Sequence, residues 1–234
     1  MLSIIIPCYN GKIHVENGNI ERVYQYMEHL NCDYEIIVVN DGSKDDSLNA
    51  LNQIDKHNGK IRIISYEVNR GKGYAIKTGI LNAKGDTLFM DIDLATDLNA
   101  IPVVLENKNK YKFIIASRNL DDSVGGKDKP LIRNIMSFVS SICVKIIGGV
   151  YQKDTQCGFK YMEAETAKFI ASKQIIERWA FDVEYLYIAK KHGIDVLEIP
   201  VIWINDENSV VSPIKSSIRF LKELFIIRKN RKYY

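Results

Sequence analysis

Short, unbroken apolar runs recur along the first half of the chain: "LSIII" at 2–6, "YEIIVV" at 34–39, "IRIIS" at 61–65, the end of "GDTLFMD" and "KFIIAS" at 112–117. None alternates apolar with polar, which is the pattern of strands covered on both faces. Between them the spacing turns helical. Ile20, Val23, Tyr24, Met27 and Leu30 share one face of a segment over 18–30. Ser43 or Asp45 can cap a helix running to about 57, and the glycine-rich "NRGKGYAIKTG" leads into a helix ending near Ala83. Asp97 can cap a short helix in "DLNAIPVVLE". Strand and helix alternating in this way predict an α/β domain, Rossmann-like, with a mostly parallel central sheet flanked by helices.

The second half departs from that rhythm. Residues 119–130 are polar, contain Gly125, Gly126 and Pro130, and predict a mobile loop. A helix over 131–147 should stop at Gly148 and Gly149. "CGFKYM" predicts a short strand, followed by helices at 163–171 and 180–191 and a strand bent or split at Pro200. Ser212 and Pro213 open a last helix, with Ile214, Ile218, Leu221, Leu224 and Phe225 as its apolar side. No repeat of the first half is visible, so the expectation is one fused fold.

Composition narrows the class. The chain has 234 residues, 46% apolar and 26% charged, enough for one large core and ordinary for a soluble protein. Cys8, Cys32, Cys143 and Cys157 lie far apart, without the short spacings of a zinc site, which suits a reducing compartment. The first apolar run ends at Pro7 with no basic leader, and no run reaches the ~18 apolar residues of a membrane span. A cytoplasmic location follows. Net charge is +3, yet residues 215–232 alone carry +6, so the helix and tail over 213–234 form a basic amphipathic segment. Such a segment suits an anionic membrane surface or a membrane protein partner, or packs on its own domain with a solvated tail. Nucleic acid is not expected as a partner, because no recognition motif accompanies the basic residues.

Candidate chemistry gathers where strands end, the usual place for sites in open α/β sheets. Pro7, Tyr9 and Asn10 follow the first strand, Asp41 the second, Arg70, Gly71, Lys72 and Gly73 the third, Asp91 and Asp93 the fourth, and Arg118 the fifth. On an extended backbone Asp91 and Asp93 would point the same way, and two such carboxylates invite a hard divalent cation, Mg²⁺ or Mn²⁺, that also holds a diphosphate. Asp41 can accept from a nucleobase or ribose, or simply close an Asx-type turn in "NDGS". The glycines at 71 and 73 allow close backbone approach, and Arg70 and Lys72 bring charge to a phosphate. Neither GxxxxGK[ST] nor GxGxxG is present. Arg118 and Arg133, flanking the polar loop, can grip an anionic acceptor. Cys157 is read as a packing residue, and none of His14, His29, His57 and His192 forms a metal motif. Asp182, near the start of its helix, can face the site or serve the helix dipole.

"IIIPCYN", "EIIVVNDGSKD", "NRGKGYAIKTG", "DIDLAT", "DTQCGFK", "RWAFDVE" and "IPVIW" occur here in one order. In that order the chain resembles the inverting glycosyltransferases of family 2, over about residues 2–205. Within that family the likeness is greatest to dolichyl-phosphate β-glucosyltransferases and related polyprenyl-phosphate enzymes. The resemblance implies a GT-A nucleotide-diphospho-sugar transferase fold over 1–212, with a nucleotide-sugar-binding half at 1–118 and an acceptor-side half at 119–212. It implies metal-dependent transfer of a hexose, glucose from UDP-glucose, to a polyprenyl phosphate. A sugar hydroxyl as acceptor and a non-catalytic nucleotide-sugar-binding protein are the alternatives. By the same resemblance, donor contacts fall on Pro7, Tyr9, Asn10, Asp41, Lys72, Gly73, Asp91, Ile92 and Asp93. The metal falls on Asp91 and Asp93, which with Asp182 form the catalytic set. The acceptor falls to Arg118, Arg133, Gln156 and Gly158, and the location is cytoplasmic or peripheral on the cytoplasmic face of a membrane. The family's glutamate after "PxYN" is Gly11 here, and its "WxE" reads "WIN".

Overall fold

In a computed structural model, residues 1–125, 141–204 and 213–234 are described, the side chains of the last segment from Ile218 onward. The end of the loop expected over 119–130, the start of the helix expected over 131–147, with Arg133, and the cap at Ser212 lie outside the described residues.

The apolar runs form β1 (Leu2–Cys8), β2 (Tyr34–Asp41), β3 (Ile61–Tyr66), β4 (Asp86–Phe89) and β5 (Phe113–Ser117). With β7 (Lys160–Met162) and β8 (Val196–Pro200) they make a seven-stranded sheet in the order β3-β2-β1-β4-β7-β5-β8. Every pairing is parallel except those of β7, which runs antiparallel between β4 and β5. This insertion sets Lys160 opposite Phe89, the last residue of β4, and Ile115, the middle residue of β5. Pro7 lies inside β1. The last β1–β4 pair is Ile5 with Phe89, so Pro7 occupies a stretch flanked by β2 alone, where a missing N–H interrupts no pairing with β4.

The helices are α1 (Lys12–Glu16), α2 (Asn19–His29), α3 (Ser47–Gln53), α4 (Lys72–Asn82), α5 (Ala100–Asn107), α6 (Ala164–Lys173), α7 (Phe181–Lys191) and α8 (Pro213–Lys229). The helix expected from residue 18 starts one residue later, because Gly18 adopts a positive φ of 73° and ends the preceding turn. Helical residues 141–148 end at Gly149, also left-handed at φ 70°. Of the two readings at Pro200, a bend or a split, the structure shows the split: β8 stays in the main sheet, while β9 (Ile202–Trp203) pairs with β6 (Val124–Gly125) in a second, two-stranded sheet.

The sheet divides two apolar layers. One packs β1, β2 and β4 on α1, α2 and α5, and the other packs the opposite face on α4, α6, α7 and α8. The C-terminal helix belongs to this second layer. Phe220, Leu224 and Ile227 are buried in it, and Glu223 accepts from the backbone N–H groups of Trp179 (3.1 Å) and Ala180 (2.9 Å) at the start of α7. The inward face is therefore rotated from the one expected. Leu224 turns in, whereas Ile218 and Phe225 are more than half exposed.

Candidate functional site

The tip of β4 is where the sheet, the glycine-rich turn and α7 meet. After Met90 donates to Ile5 O (3.0 Å), the chain stops being extended. Leu94 N donates to Asp91 O (3.1 Å), Asp93 Oδ1 accepts from Ala95 N (3.0 Å), and Leu94 takes a φ of 54°. Asp91 and Asp93 thus sit in a turn, not on the extended backbone that period-two reasoning assumed. Ile92 does not project between them as a spacer alone. Its carbonyl is tied to α2 by Asn19 Nδ2 at 2.8 Å.

Asp91 is flanked on both sides. The Lys72 ammonium forms an ion pair with its Oδ1, and Gly158 lies so close that a Cβ there would overlap Oδ2. Burial works against the charge on Lys72, but Asp91, Asp182 and Asp93 outweigh it and hold its pKa above the ordinary lysine value. Asp182, in the first turn of α7, has its own lysine. Lys160 Nζ donates to Asp182 Oδ1 at 2.6 Å and to the Cys157 carbonyl, and its side chain is completely buried. Desolvation raises the pKa of Asp182; Lys160 and Lys72 pull the other way and only partly offset it. The site is a group of carboxylates interleaved with two ammonium groups.

Asp41 faces inward. It is 2% exposed, and its carboxylate accepts from Asn69 Nδ2 (2.7 Å), Arg70 N (2.8 Å) and Gly71 N (2.8 Å). It fastens the glycine-rich turn to the end of β2, and three of its roughly four acceptor positions are taken. Gly71 and Gly73 do permit close approach, but what approaches is the chain itself. A Cβ on Gly71 would meet Glu177 O at 2.7 Å, and one on Gly73 would meet Phe181 Cβ at 2.7 Å. The N–H groups of Gly73 and Tyr74 donate to the carbonyls of Arg178 (3.2 Å) and Glu177 (2.8 Å). Arg70 stacks on Tyr74 and pairs with Glu177. Of the two cations expected to meet a phosphate, Lys72 alone lies against the aspartates.

On the first rim loop, Asn10 N donates to Ser43 Oγ (3.0 Å) and Asn10 Oδ1 accepts from Lys44 N (2.8 Å), so "PCYNG" is latched to "NDGS". Tyr9 is exposed. Gly11, in place of the glutamate, begins α1, where a Cβ would press on Cys8 Sγ at 3.1 Å. Arg118 is gripped by Asp154 through Nε (2.7 Å), Nη2 (3.0 Å) and its backbone N (3.0 Å), and among the described residues no hydrogen bond occupies its other three guanidinium N–H groups. Gln156 is exposed, with its N–H on Asp154 Oδ1 (3.2 Å). Cys157 is buried, its thiol pushed up by desolvation and its sulfur 3.6 Å from Thr96 Oγ1.

Sequence reasoning singled out "DTQCGFK" without seeing the roles of the ions at its two ends, Asp154 and Lys160. A lysine inside a predicted strand was the available signal, since a fully buried lysine is rare without a partner.

Comparison with known proteins settles the family. The model of glycosyl transferase family 2 matches residues 3–164. The chain belongs to glycosyl transferase family 2. Among the relatives of this family 2 glycosyltransferase are the dolichyl-phosphate beta-glucosyltransferase of Dictyostelium discoideum, 38% identical over 97% of this chain and 73% of the relative, and that of Homo sapiens, 34% identical over 97% and 74%. Solved structures share the GT-A fold. Glucosyl-3-phosphoglycerate synthase from Mycobacterium tuberculosis, in complex with Mn²⁺, UDP and glucosyl-3-phosphoglycerate, aligns with a TM-score of 0.64 at 17% identity, covering 97% of this chain and 79% of that one. A mannosyltransferase from Pyrobaculum calidifontis, in complex with GDP-Man and Mn²⁺, gives 0.58 at 14% identity, covering 97% and 69%.

In the glycosyltransferase, Asp91 and Asp93 put two carboxylates at the tip of β4, the donor type that a hard cation takes. Among the described residues no three histidine, cysteine or carboxylate groups gather to enclose a metal. Two carboxylates with the other positions left to phosphate and water is how Mg²⁺ is commonly held, so the residues present fit such an ion. Among the described residues no helix is long and apolar enough to cross a membrane.

Proposed function

We propose that this chain transfers glucose from UDP-glucose to a dolichyl-type polyprenyl phosphate, with inversion at the anomeric carbon and with Mg²⁺ or Mn²⁺ bound at Asp91 and Asp93. The observation that carries this reading is the similarity along 97% of the chain to dolichyl-phosphate beta-glucosyltransferases. The site's charges support it. When bound, the divalent cation supplies neutralisation of charge developing on the leaving diphosphate. Lys72 contributes a second positive charge on the same side, in reach of Asp91. A phosphate oxygen of the acceptor forms the new bond to the anomeric carbon as the bond to UDP breaks. An α-linked donor then gives a β-linked product.

The surroundings of Asp182 support a phosphate as acceptor. A hydroxyl acceptor needs a carboxylate to take its proton, whereas a phosphate is already an anion. One oxygen of Asp182 is already bound by the buried Lys160, which occupies half of the carboxylate that a base would use. Arg118, held edge-on by Asp154, keeps N–H groups to orient a phosphate, and Arg133 is assigned to the same task by resemblance. The outer face of α8 suits delivery of a lipid substrate. Ile218, Phe225 and Ile226 are exposed there beside Arg219, Lys222 and Lys229, a pairing that favours a peripheral position on an anionic surface.

Incubation of the purified chain with UDP-glucose and liposomal dolichyl phosphate, with products read by mass, tests the reading. A glucosyl phosphodiester lost on EDTA treatment is expected. UDP-galactose, GDP-mannose and soluble sugar acceptors run in parallel; glucosylation of a soluble sugar with no lipid product would overturn the acceptor assignment.

A further inference from the structure

The site holds two lysine–aspartate pairs, and only one is built to stay closed. Lys160 is clamped between Asp182 and the Cys157 carbonyl with no exposure. Lys72 stands at the first position of α4, its side chain 18% exposed, on an Asp91 side chain that is 36% exposed. A lysine ammonium on a four-carbon stem is a point charge that can swing between partners. Asp91 Oδ1 carries that ammonium, and Oδ2 faces Gly158.

We infer that Lys72 is an exchangeable counter-ion, resting on Asp91 and passing to the donor's diphosphate when a divalent cation takes the Asp91 oxygen. This deepens the donor-site reading proposed above and rests on it. The physical reason is plain. A divalent cation arriving at Asp91 meets an ammonium on the same carboxylate, and two cations side by side repel strongly in a partly desolvated site. A diphosphate gives the ammonium a new anionic partner in the same step. Cation and nucleotide therefore assist one another, and the assistance is reciprocal. The cation alone binds weakly, which delays its uptake until a donor is present.

Lys72 here is a positioning residue for the cation as well as a contact for the donor, and binding, not turnover, reads the exchange. Titration calorimetry with Mn²⁺ is run on the full chain, with and without saturating UDP, for the wild type, Lys72→Met, Arg70→Met and Asp91→Asn. In Lys72→Met, Mn²⁺ alone binds about tenfold more tightly than in the wild type, and the gain in Mn²⁺ affinity on adding UDP shrinks by a similar factor, within the usual range of coupling between sites. Arg70→Met removes the same charge from the same turn, but its guanidinium is held by Glu177 and Tyr74, so Mn²⁺ affinity stays within about twofold of the wild type. Mn²⁺ binding Lys72→Met no more tightly than the wild type overturns the exchange, as does an equal gain in Arg70→Met. Asp91→Asn separates the two levels. If it loses Mn²⁺–UDP affinity while Lys72→Met gains nothing, the donor site stands and the exchange alone fails. If Asp91→Asn binds both as the wild type does, the site reading falls and the exchange with it.

Discussion

The β4 tip and the start of α7 each present an aspartate paired with a lysine, yet their surroundings are opposite. Asp91 and Lys72 are partly exposed, in a turn and at the first residue of a helix. Asp182 and Lys160 are buried in the middle of the sheet layer, and Lys160 has a second fixed acceptor. The first pair can trade partners; the second cannot without leaving a bare charge in the core. The difference teaches that charge pairing does not by itself mark chemistry. Exposure and the number of anchoring bonds separate the pair open to a new partner from the pair locked in the core.

The largest effect should come from the exposed pair. If the proposed cation site is right, Asp91→Ala and Asp93→Ala, each removing one of its carboxylates, should lower kcat by about 10³-fold, the scale of losing a principal electrostatic contact in a transition state. Circular dichroism and the melting temperature should change little, because neither side chain fills the core. Loss of folding together with activity would put the β4 tip in the same class as the buried pair.

The buried pair should answer in stability. Lys160→Met strands a buried carboxylate and should cost about 3–5 kcal/mol in a denaturant titration, with Asp182→Asn costing a comparable amount by stranding the lysine. Both changes together leave no bare charge and should recover most of the loss. The double variant also sharpens the acceptor assignment. With a phosphate acceptor it should keep more than about a tenth of kcat, whereas removal of a true general base costs about 10²–10⁴-fold.

Much of this contrast was legible in the chain, but unevenly. The five apolar runs name the strands, and the polar residues just beyond them name the rim, because strand ends are local features that period and turn chemistry report directly. What the pattern could not report was which groups meet across the fold. Lys160 reads as one more lysine near "GFK" until β7 inserts antiparallel and carries it opposite Phe89 and Ile115. Gly71 and Gly73 read as room for a ligand until the 176–181 connection arrives to fill that room. Asp41 reads as an acceptor for a ligand or for its own turn in "NDGS", and not as the clamp on the distant Asn69, Arg70 and Gly71 that it is. α8 reads as well for a membrane surface as for packing on its own domain, and only the fold decides that Phe220, Leu224 and Ile227 turn inward.

Gly158 joins the two regions, since it lies on Asp91 from the segment that Lys160 holds. A methyl group there would overlap Asp91 Oδ2. Gly158→Ala should push the carboxylate off its position and reduce kcat by about 10²-fold, the usual penalty for misplacing a reacting group by an ångström. The effect should be smaller in KM for the acceptor than in Mn²⁺–UDP affinity. If acceptor KM alone rises, Gly158 serves the acceptor directly, as the resemblance suggested, and its contact with Asp91 is incidental.

The smallest effect tests whether the buried carboxylates behind the site are structural in the same sense as Asp182. Glu223 reaches from α8 to the backbone N–H groups of Trp179 and Ala180. Desolvation raises its pKa above the usual glutamate value, against those two bonds and the nearby Arg219 and Arg178, which lower it. A carboxyl raised in the folded state binds more protons there than in the unfolded chain. Its favourable contribution is complete below the unfolded glutamate pKa of about 4.5 and is lost as pH rises through the higher folded value. Glu223→Gln keeps an acceptor for the two N–H groups and has no charge to desolvate. The melting temperature of the variant minus that of the wild type should therefore become more positive as pH is raised from 4 to 7, by a few degrees at most. A difference that moves the other way would mean that the ionised form of Glu223 is what α7 and α8 require, and that the buried layer depends on its charge as the β4 tip does.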